Sequence, residues 1–450
     1  MIDTSIFKGN DIRGIYPDTI NEDLAYRIGQ AYVAVLKPQK EVLVGHDVRI
    51  HSLALKNKLI EGILDSGVNI LDVGWMSTDM LYFGVGTYKT DGGIQVTASH
   101  LPAEWHGMKM VKKGVVPMTL ESGIDKIRDF IVKGKSINTD KRGVIRKLDI
   151  LDDYAKYILT WIDPKKIKPM KILYNPNFGY TGKVFKRIVE IGNLPLTLIP
   201  LNAKPDGTFP KGRPDPFIPE NRKEFSDMVI SRGADLGIAW DADGDRVFFC
   251  ANDGTFMEPY FLNTVLIKAM LQKYPKEKII YDIRYTWALI EAIKENGGVP
   301  VLCRVGHSYI KEKMREKKAL FAVESSGHTY YRDYWYSDCG MIPPLQILEY
   351  ISLKGTKLSD VVKPVMQKYY ISNEINNEVK DSKTIINNLK LIYSDGNQNN
   401  IDGLTVEYKN FRFNVRTSNT EPLLRLNLEA NSKKLMEEKR DEVLAIIKNI

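Results

Sequence analysis

Three aspartates, Asp241, Asp243 and Asp245, alternate along WDADGDR between the apolar runs LGIAW and VFFCA. Carboxylates this dense beside a buried strand repel one another unless a cation neutralises them, although a plain acidic turn has the same composition. Oxygen donors with one glycine for chain reversal suit a hard divalent ion such as Mg²⁺. The spacing is not that of an EF-hand. Counting from Asp241, the sixth position, which needs Gly, is Arg246, and the twelfth, which needs a bidentate Glu, is Asn252.

A second group is VTASHLP, where Ser99 lies between a β-rich run and a Pro-containing turn with His100 beside it. On local grounds this is equally a turn serine with a hydrogen-bonding neighbour. A phosphoryl group on Ser99 would bring close to two negative charges and need a cation facing it, which the aspartate loop can supply. Lys109 in HGMKM is placed to neutralise that phosphate or to exchange a proton with the reacting hydroxyl. Burial and a nearby cation would lower its proton affinity. An apolar strand ending in Asp-x-Asp-Gly is also how phosphatases of the haloacid-dehalogenase type present a nucleophile, here Asp241. In this chain Asp245 stands after Gly244 in place of their usual Thr.

Two further clusters suit a sugar phosphate. VESSGH joins a carboxylate, Glu324, to the hydroxyl of Ser326 and the imidazole of His328, a set fit for grasping vicinal hydroxyls. RTSNTEP offers Arg416, Ser418, Asn419 and Thr420 in a turn rich in backbone N–H groups, which suits a phosphate that is not transferred. Read alone, each is equally a polar turn. GHSYIK at 306–311 and DIRG at 11–14 add His, Ser, Lys and Arg. NPNFGYTGK at 175–183 is not a Walker loop: its glycines are too close and no Ser or Thr follows Lys183, so it reads as a helix start.

What positions these groups is a pattern met three times. EVLVGHD, KILYNPN and KIIYDIR each open a unit, a helix-like stretch follows, then a second strand (VNILDVG, LPLTLIP, VPVLCRV) and a third. The third strands, GGIQVTAS, ADLGIAWDAD and KALFAVESSG, run straight into the serine, aspartate and glutamate clusters. Such units predict mainly parallel sheets, whose ligands gather beyond the carboxyl ends of strands. From about residue 367 the texture changes to an Asn/Lys-rich linker, the alternating runs FRFNVR and LLRLNLEA, and a charged helix, which together read as a small α+β domain. The expected architecture is three tandem α/β domains (1–150, 151–253, 254–366) and a C-terminal α+β domain (367–450) around a central cleft.

The chain of 450 residues has room for such an arrangement, and its 43% hydrophobic and 27% charged content is that of ordinary globular proteins. Its apolar runs are too short to cross a bilayer, and MIDTSIFKGNDIRG lacks a secretory pattern, so a cytoplasmic protein is expected. Cys250, Cys303 and Cys339 are odd in number and far apart, which suggests neither disulfides nor a thiolate zinc site. The net charge of +8 is not gathered into a stripe with aromatics. A small anionic substrate is therefore expected in place of nucleic acid.

As an ordered set, from FKGNDIRG through TASH, DADGDR and ESSGH to RTSNTEP, the motifs resemble the α-D-phosphohexomutase superfamily, in particular its phosphomannomutase/phosphoglucomutase branch. The resemblance spans all four domains and implies that Ser99 is the phosphoserine, which also faces the metal, and that Asp241, Asp243 and Asp245 bind Mg²⁺, followed by Arg246 as in the family. It assigns Glu324 and Ser326 to the sugar, Arg416, Ser418, Asn419 and Thr420 to phosphate, and Arg13, His100, Lys109, Arg284, His307 and His328 to the cleft. The implied reaction exchanges hexose 1-phosphate and hexose 6-phosphate, of mannose or glucose, through a hexose bisphosphate that also serves as activator. The bisphosphate must turn end for end, with the fourth domain as gate. A monomer or homodimer without membrane partners is implied. Leu101-Pro102 replaces the family's Asn-Pro, and Val323 its Gly. Phosphoglucosamine mutase is the near alternative, with Gln where this chain has Ser325, and a Mg²⁺-dependent sugar-phosphate phosphatase the more distant one.

Overall fold

Continuous β-branched runs form strands when both faces of a sheet are covered, and the three opening runs do so. In a computed structural model, which describes residues 2–417 and 423–448, the first is β1 (Glu41–His46), with Val42, Leu43 and Val44 fully buried. Strands β2 (Asn69–Trp75) and β3 (Gly92–Val96) flank β1 in parallel, and β4 (Trp105–Lys112) runs antiparallel to β3. The second repeat has the same order. In it, β5 (Met170–Asn175) lies between β6 (Leu196–Pro200) and β7 (Leu236–Trp240), all parallel, with β8 (Val247–Ala251) antiparallel to β7. In the third, β9 (Lys278–Asp282) is flanked in parallel by β10 (Val299–Cys303) and β11 (Phe321–Val323).

Each parallel step carries a helix, as a parallel crossover requires. Ser52–Leu64 and Thr78–Tyr88 serve the first repeat, Thr181–Ile191 and Pro219–Ser231 the second, and Trp287–Glu295 and His307–Lys317 the third. NPNFGYTGK does lead into a helix start, at Thr181.

The C-terminal region contains the antiparallel strands β12 (Leu404–Glu407), β13 (Phe411–Thr417) and β14 (Leu423–Ala430). Leu404, Phe413, Leu424 and Leu428 pack with Val443 and Ile447 of the charged helix Lys433–Lys448. The Asn/Lys-rich stretch is not a linker. Ile375–Glu378 pairs with β14, and Ser382–Ile392 is a helix capped by Asp381, whose carboxylate accepts from the N–H groups of Lys383 and Thr384. Its polar composition hides Ile385 and Leu389, four residues apart and both buried.

The chain forms two compact units: Met1–Met257 with His328–Leu358, and Glu258–Gly327 with Ser359–Ile450. Cys250, Cys303 and Cys339 are free and buried. Among the described residues no helix is long and apolar enough to cross a membrane.

Candidate active site

In the unit that contains both loops, the turn after β3 meets the turn after β7. Ser99, nearly buried, donates from Oγ to Asp241 Oδ2 at 3.2 Å, and its Oγ lies 3.1 Å from His100 Nδ1. Its backbone is in the left-handed region, φ 52°, and its N–H donates to Thr97 Oγ1 at 3.0 Å. A residue with a β-carbon pays about 1–2 kcal/mol for that conformation, so the surrounding contacts must impose it.

Asp241, Asp243 and Asp245 are all at most 3% exposed, and one carboxylate oxygen from each lies within 4.8 Å of the others. The turn between them needs Gly244, φ 75°, because a β-carbon there would lie 2.0 Å from the Thr181 side chain. Lys109 projects from β4 and places Nζ 2.6 Å from Asp243 Oδ2 and 2.5 Å from Asp245 Oδ2. Arg246 donates through Nε to Asp241 Oδ2 at 2.9 Å and sits 3.5 Å from Asp215.

Burial pushes the Asp241 carboxyl well above the usual carboxylate range; Asp243 and Asp245 push the same way, while Arg246 and Lys109 oppose them. Burial acts in the same sense on Asp245, but Lys109 and His328 outweigh it and hold that carboxyl low. His328 Nε2 is 3.6 Å from Asp245 Oδ1 and 3.9 Å from Asp338 Oδ2. The donor set fits a hard divalent cation: three clustered carboxylates, of which Asp243 Oδ1 is buried and accepts no hydrogen bond among the described residues.

Lys109 and His100 shift in opposite directions. Burial works against the Lys109 charge, while Asp243 and Asp245 override it and raise its proton affinity; the expected lowering invoked a cation held by these same carboxylates. His100 goes the other way: burial, then Arg246, Arg13 and Arg213, push its imidazole well below the ordinary histidine value. It is neutral, with Nδ1 at the Ser99 hydroxyl.

In the other unit, Arg284 donates to Asp282 at 2.9 Å and to Glu324 Oε1 at 3.1 Å. The Asp282 carboxylate also accepts the Ser325 N–H at 2.6 Å, which ties the end of β9 to the turn after β11. Glu374 accepts from Arg416 at 2.8 Å and lies 3.3 Å from Arg425 and 4.0 Å from Arg284, so three guanidiniums share one carboxylate.

The whole chain matches known proteins. Four models match in order: phosphoglucomutase/phosphomannomutase alpha/beta/alpha domain I at 4–137, domain II at 152–254, domain III at 258–369 and the C-terminal domain at 374–446. A phosphomannomutase of Vibrio cholerae is 39% identical, with all of both chains covered. The chain belongs to the phosphoglucomutase/phosphomannomutase family.

Family relatives include a protein of Xanthomonas campestris pv. campestris described as phosphohexose mutases, 40% identical over 98% of each chain. A crystal structure of a phosphoglucomutase/phosphomannomutase family protein from Burkholderia thailandensis is 30% identical and superposes with a TM-score of 0.90, covering 100% of this chain and 98% of that one. This chain is therefore a phosphohexomutase, an intramolecular phosphotransferase of four tandem domains.

Of the residues expected from sequence, Ser99, His100, Lys109, Asp241, Asp243, Asp245 and Arg246 come together in one unit of this family member. Arg13, 2.6 Å from Asp11, feels the charges of Asp243 and Asp245 there, and His328 belongs to the same unit. Arg284, Glu324, Ser326, His307 at the start of its helix, and Arg416 belong to the other. Ser418, Asn419 and Thr420 lie outside the described residues.

Sequence reasoning missed Thr78, whose N–H donates to the Asp243 carbonyl at 2.8 Å. The Ser-Thr pair that opens a helix after β2 does not by itself point to a loop of another repeat. It also missed Glu374, which no motif announces.

Proposed function

We propose that the chain interconverts hexose 1-phosphate and hexose 6-phosphate, of mannose or glucose, with Ser99 as phosphoryl carrier, through a bisphosphorylated sugar. The observation that carries this reading is the Ser99 Oγ hydrogen bond to Asp241 at 3.2 Å, beside Asp243 and Asp245. In the first half, the bond from Ser99 Oγ to phosphorus breaks while the sugar hydroxyl oxygen bonds to it, and the hydroxyl proton passes to the neutral His100 imidazole. In the second half the freed Ser99 oxygen takes the other phosphoryl group, and His100 returns the proton to the sugar oxygen. Lys109 and Arg246 hold positive charge beside the transferring group throughout.

Asp241, Asp243 and Asp245 would hold Mg²⁺, which supplies Lewis-acid stabilisation of the phosphoryl charge when bound. Glu324, Ser326 and His328, with Arg13, Arg284 and His307, are assigned to the sugar and its approach. Arg416, with Ser418, Asn419 and Thr420, is assigned to the second phosphate, supported by three guanidiniums facing the single Glu374 carboxylate. Domain limits near 150, 253 and 366 go with this reading. So do a cytoplasmic location, in keeping with three free thiols, and a monomer or homodimer.

Ser99→Ala tests the reading against a phosphatase that uses Asp241 as nucleophile. Mutase turnover should vanish, whereas survival of sugar-phosphate hydrolysis in the variant would favour the phosphatase. Coupled assays on mannose 1-phosphate, glucose 1-phosphate and glucosamine 1-phosphate then rank the sugars and decide against or for the glucosamine alternative.

A further inference from the structure

Arg49 follows β1 and is 2% exposed, yet it belongs to none of the clusters assigned above. Its Nη1 donates to the carbonyls of Pro102 at 2.6 Å and Trp105 at 2.9 Å. Its Nη2 donates to those of Ser99 at 2.7 Å and Leu101 at 2.6 Å. Its Nε sits 3.2 Å from Asp47 Oδ2, and Asp47 is fixed in turn through Oδ1 by the Arg49 N–H at 3.0 Å and the Ser52 hydroxyl at 2.6 Å. The guanidinium also stacks on Phe209 of the second repeat, 4.8 Å from the ring centroid, where Arg49 and Gly207 form a β-bridge. Between the Arg49 bonds, Arg213 of the second repeat donates to the His100 carbonyl at 3.1 Å. Four consecutive carbonyls, 99 to 102, thus end on two guanidiniums.

We infer that Arg49 is the positioning residue of the serine loop: its planar fork gathers the loop's carbonyls and holds Ser99 in the left-handed conformation that aims Oγ at Asp241. This rests on the assignment of Ser99 as phosphoryl carrier. A left-handed serine does not persist without an imposed geometry, and Arg49 supplies fixed directions at both ends of the turn. Gathering the negative ends of these peptides onto a cation also prepares the loop for the charge of a phosphoryl group. A lysine cannot replace it, because an ammonium lacks the planar set of donors that four carbonyls need.

The test compares Arg49→Lys and Asp47→Asn with the full wild-type chain, reading kcat, KM and the rate at which Ser99 gains mass from a hexose 1,6-bisphosphate. For Arg49→Lys, kcat and the phosphorylation rate should fall together by about 100-fold, with KM within about threefold, as expected for a misplaced reacting atom. Asp47→Asn keeps the guanidinium and loosens one anchor, so its loss should have the same form and be smaller. It decides the matter if Arg49→Lys does not fold. In Arg49→Ala, added guanidinium ion should restore part of the lost kcat, which a merely destabilised fold would not allow.

An Arg49→Lys kcat per folded molecule within threefold of wild type, with Ser99→Ala inert, overturns the role of Arg49 and leaves Ser99 standing. If Arg49→Lys cannot be folded, a wild-type kcat in Asp47→Asn overturns it in the same way. Turnover in Ser99→Ala removes the carrier assignment, and this inference falls with it.

Discussion

The Thr78 hydroxyl lies 2.5 Å from Asp243 Oδ2, and the N–H of the same residue donates to the Asp243 carbonyl at 2.8 Å. The first turn of one helix therefore holds both the side chain and the backbone of the central aspartate. Thr78→Val keeps the shape and removes the hydroxyl. Groups that orient a metal ligand typically contribute about 10–100-fold in metal affinity, and a weakening of Mg²⁺ binding in that range is expected by calorimetric titration. Unchanged affinity would show that the backbone contact suffices.

Lys109→Met should separate two uses of positive charge. Removing the ammonium leaves Asp243 and Asp245 buried beside one another, and stripping one partner from such a cluster costs about 3–5 kcal/mol. In EDTA the variant should melt well below the wild type, and millimolar Mg²⁺ should recover more Tm in the variant than in the wild type. Equal melting in EDTA would show that the carboxylates do not need the lysine.

Asp79 offers a pH test away from the aspartate loop. Burial pushes its carboxyl up to about 6 from 3.8, against hydrogen bonds from the Ser77 hydroxyl, the Tyr154 hydroxyl and the Cys339 thiol. A folded carboxyl that holds its proton more tightly than the unfolded one contributes stability below pH 3.8 that is lost as pH rises through about 6. At 1.36 kcal/mol per unit, the loss above pH 6 is about 3 kcal/mol. Asp79→Asn carries no such charge. Its stability relative to wild type should rise between pH 4 and 6 and then level off, measured by denaturant unfolding across that window. A difference that is flat with pH would contradict a buried, titrating Asp79.

Gly340 backs onto the metal turn. A β-carbon at Gly340 would lie 2.1 Å from the Gly244 carbonyl oxygen, while the Gly340 carbonyl accepts from Trp240 Nε1 at 2.7 Å. Gly340→Ala must push the backbone between Asp243 and Asp245, and overpacking of this kind costs about 1–3 kcal/mol. Lower stability together with weaker Mg²⁺ binding is expected. Gly9→Ala, where nothing lies within 4 Å, serves as the neutral comparison.

The parallel sheets could be read from sequence because each opening strand is a continuous apolar run and each unit repeats the same order. The serine and aspartate loops could be read because they end the third strands. Thr78 could not be singled out: a threonine at a helix start is ordinary, and only the fold brings it to Asp243. The helix Ser382–Ile392 was obscured by composition, since two buried apolar residues among Asn and Lys are too weak a period to recognise. The proton affinity of Lys109 was legible only in part. Burial does lower it, but the two carboxylates that exert the larger opposing effect come from another repeat, more than 130 positions along the chain.

Burial of all three cysteines has a practical consequence. Loss of solvent around the sulfur pushes the thiol of Cys250 up to about 11 and that of Cys303 up to about 12, and that of Cys339 is well above the ordinary value. Thiolate is the form that alkylating dyes attack, so the native enzyme should resist them. A single cysteine engineered onto an exposed helix would then take a fluorophore or spin probe cleanly, with no need to strip out the natural three.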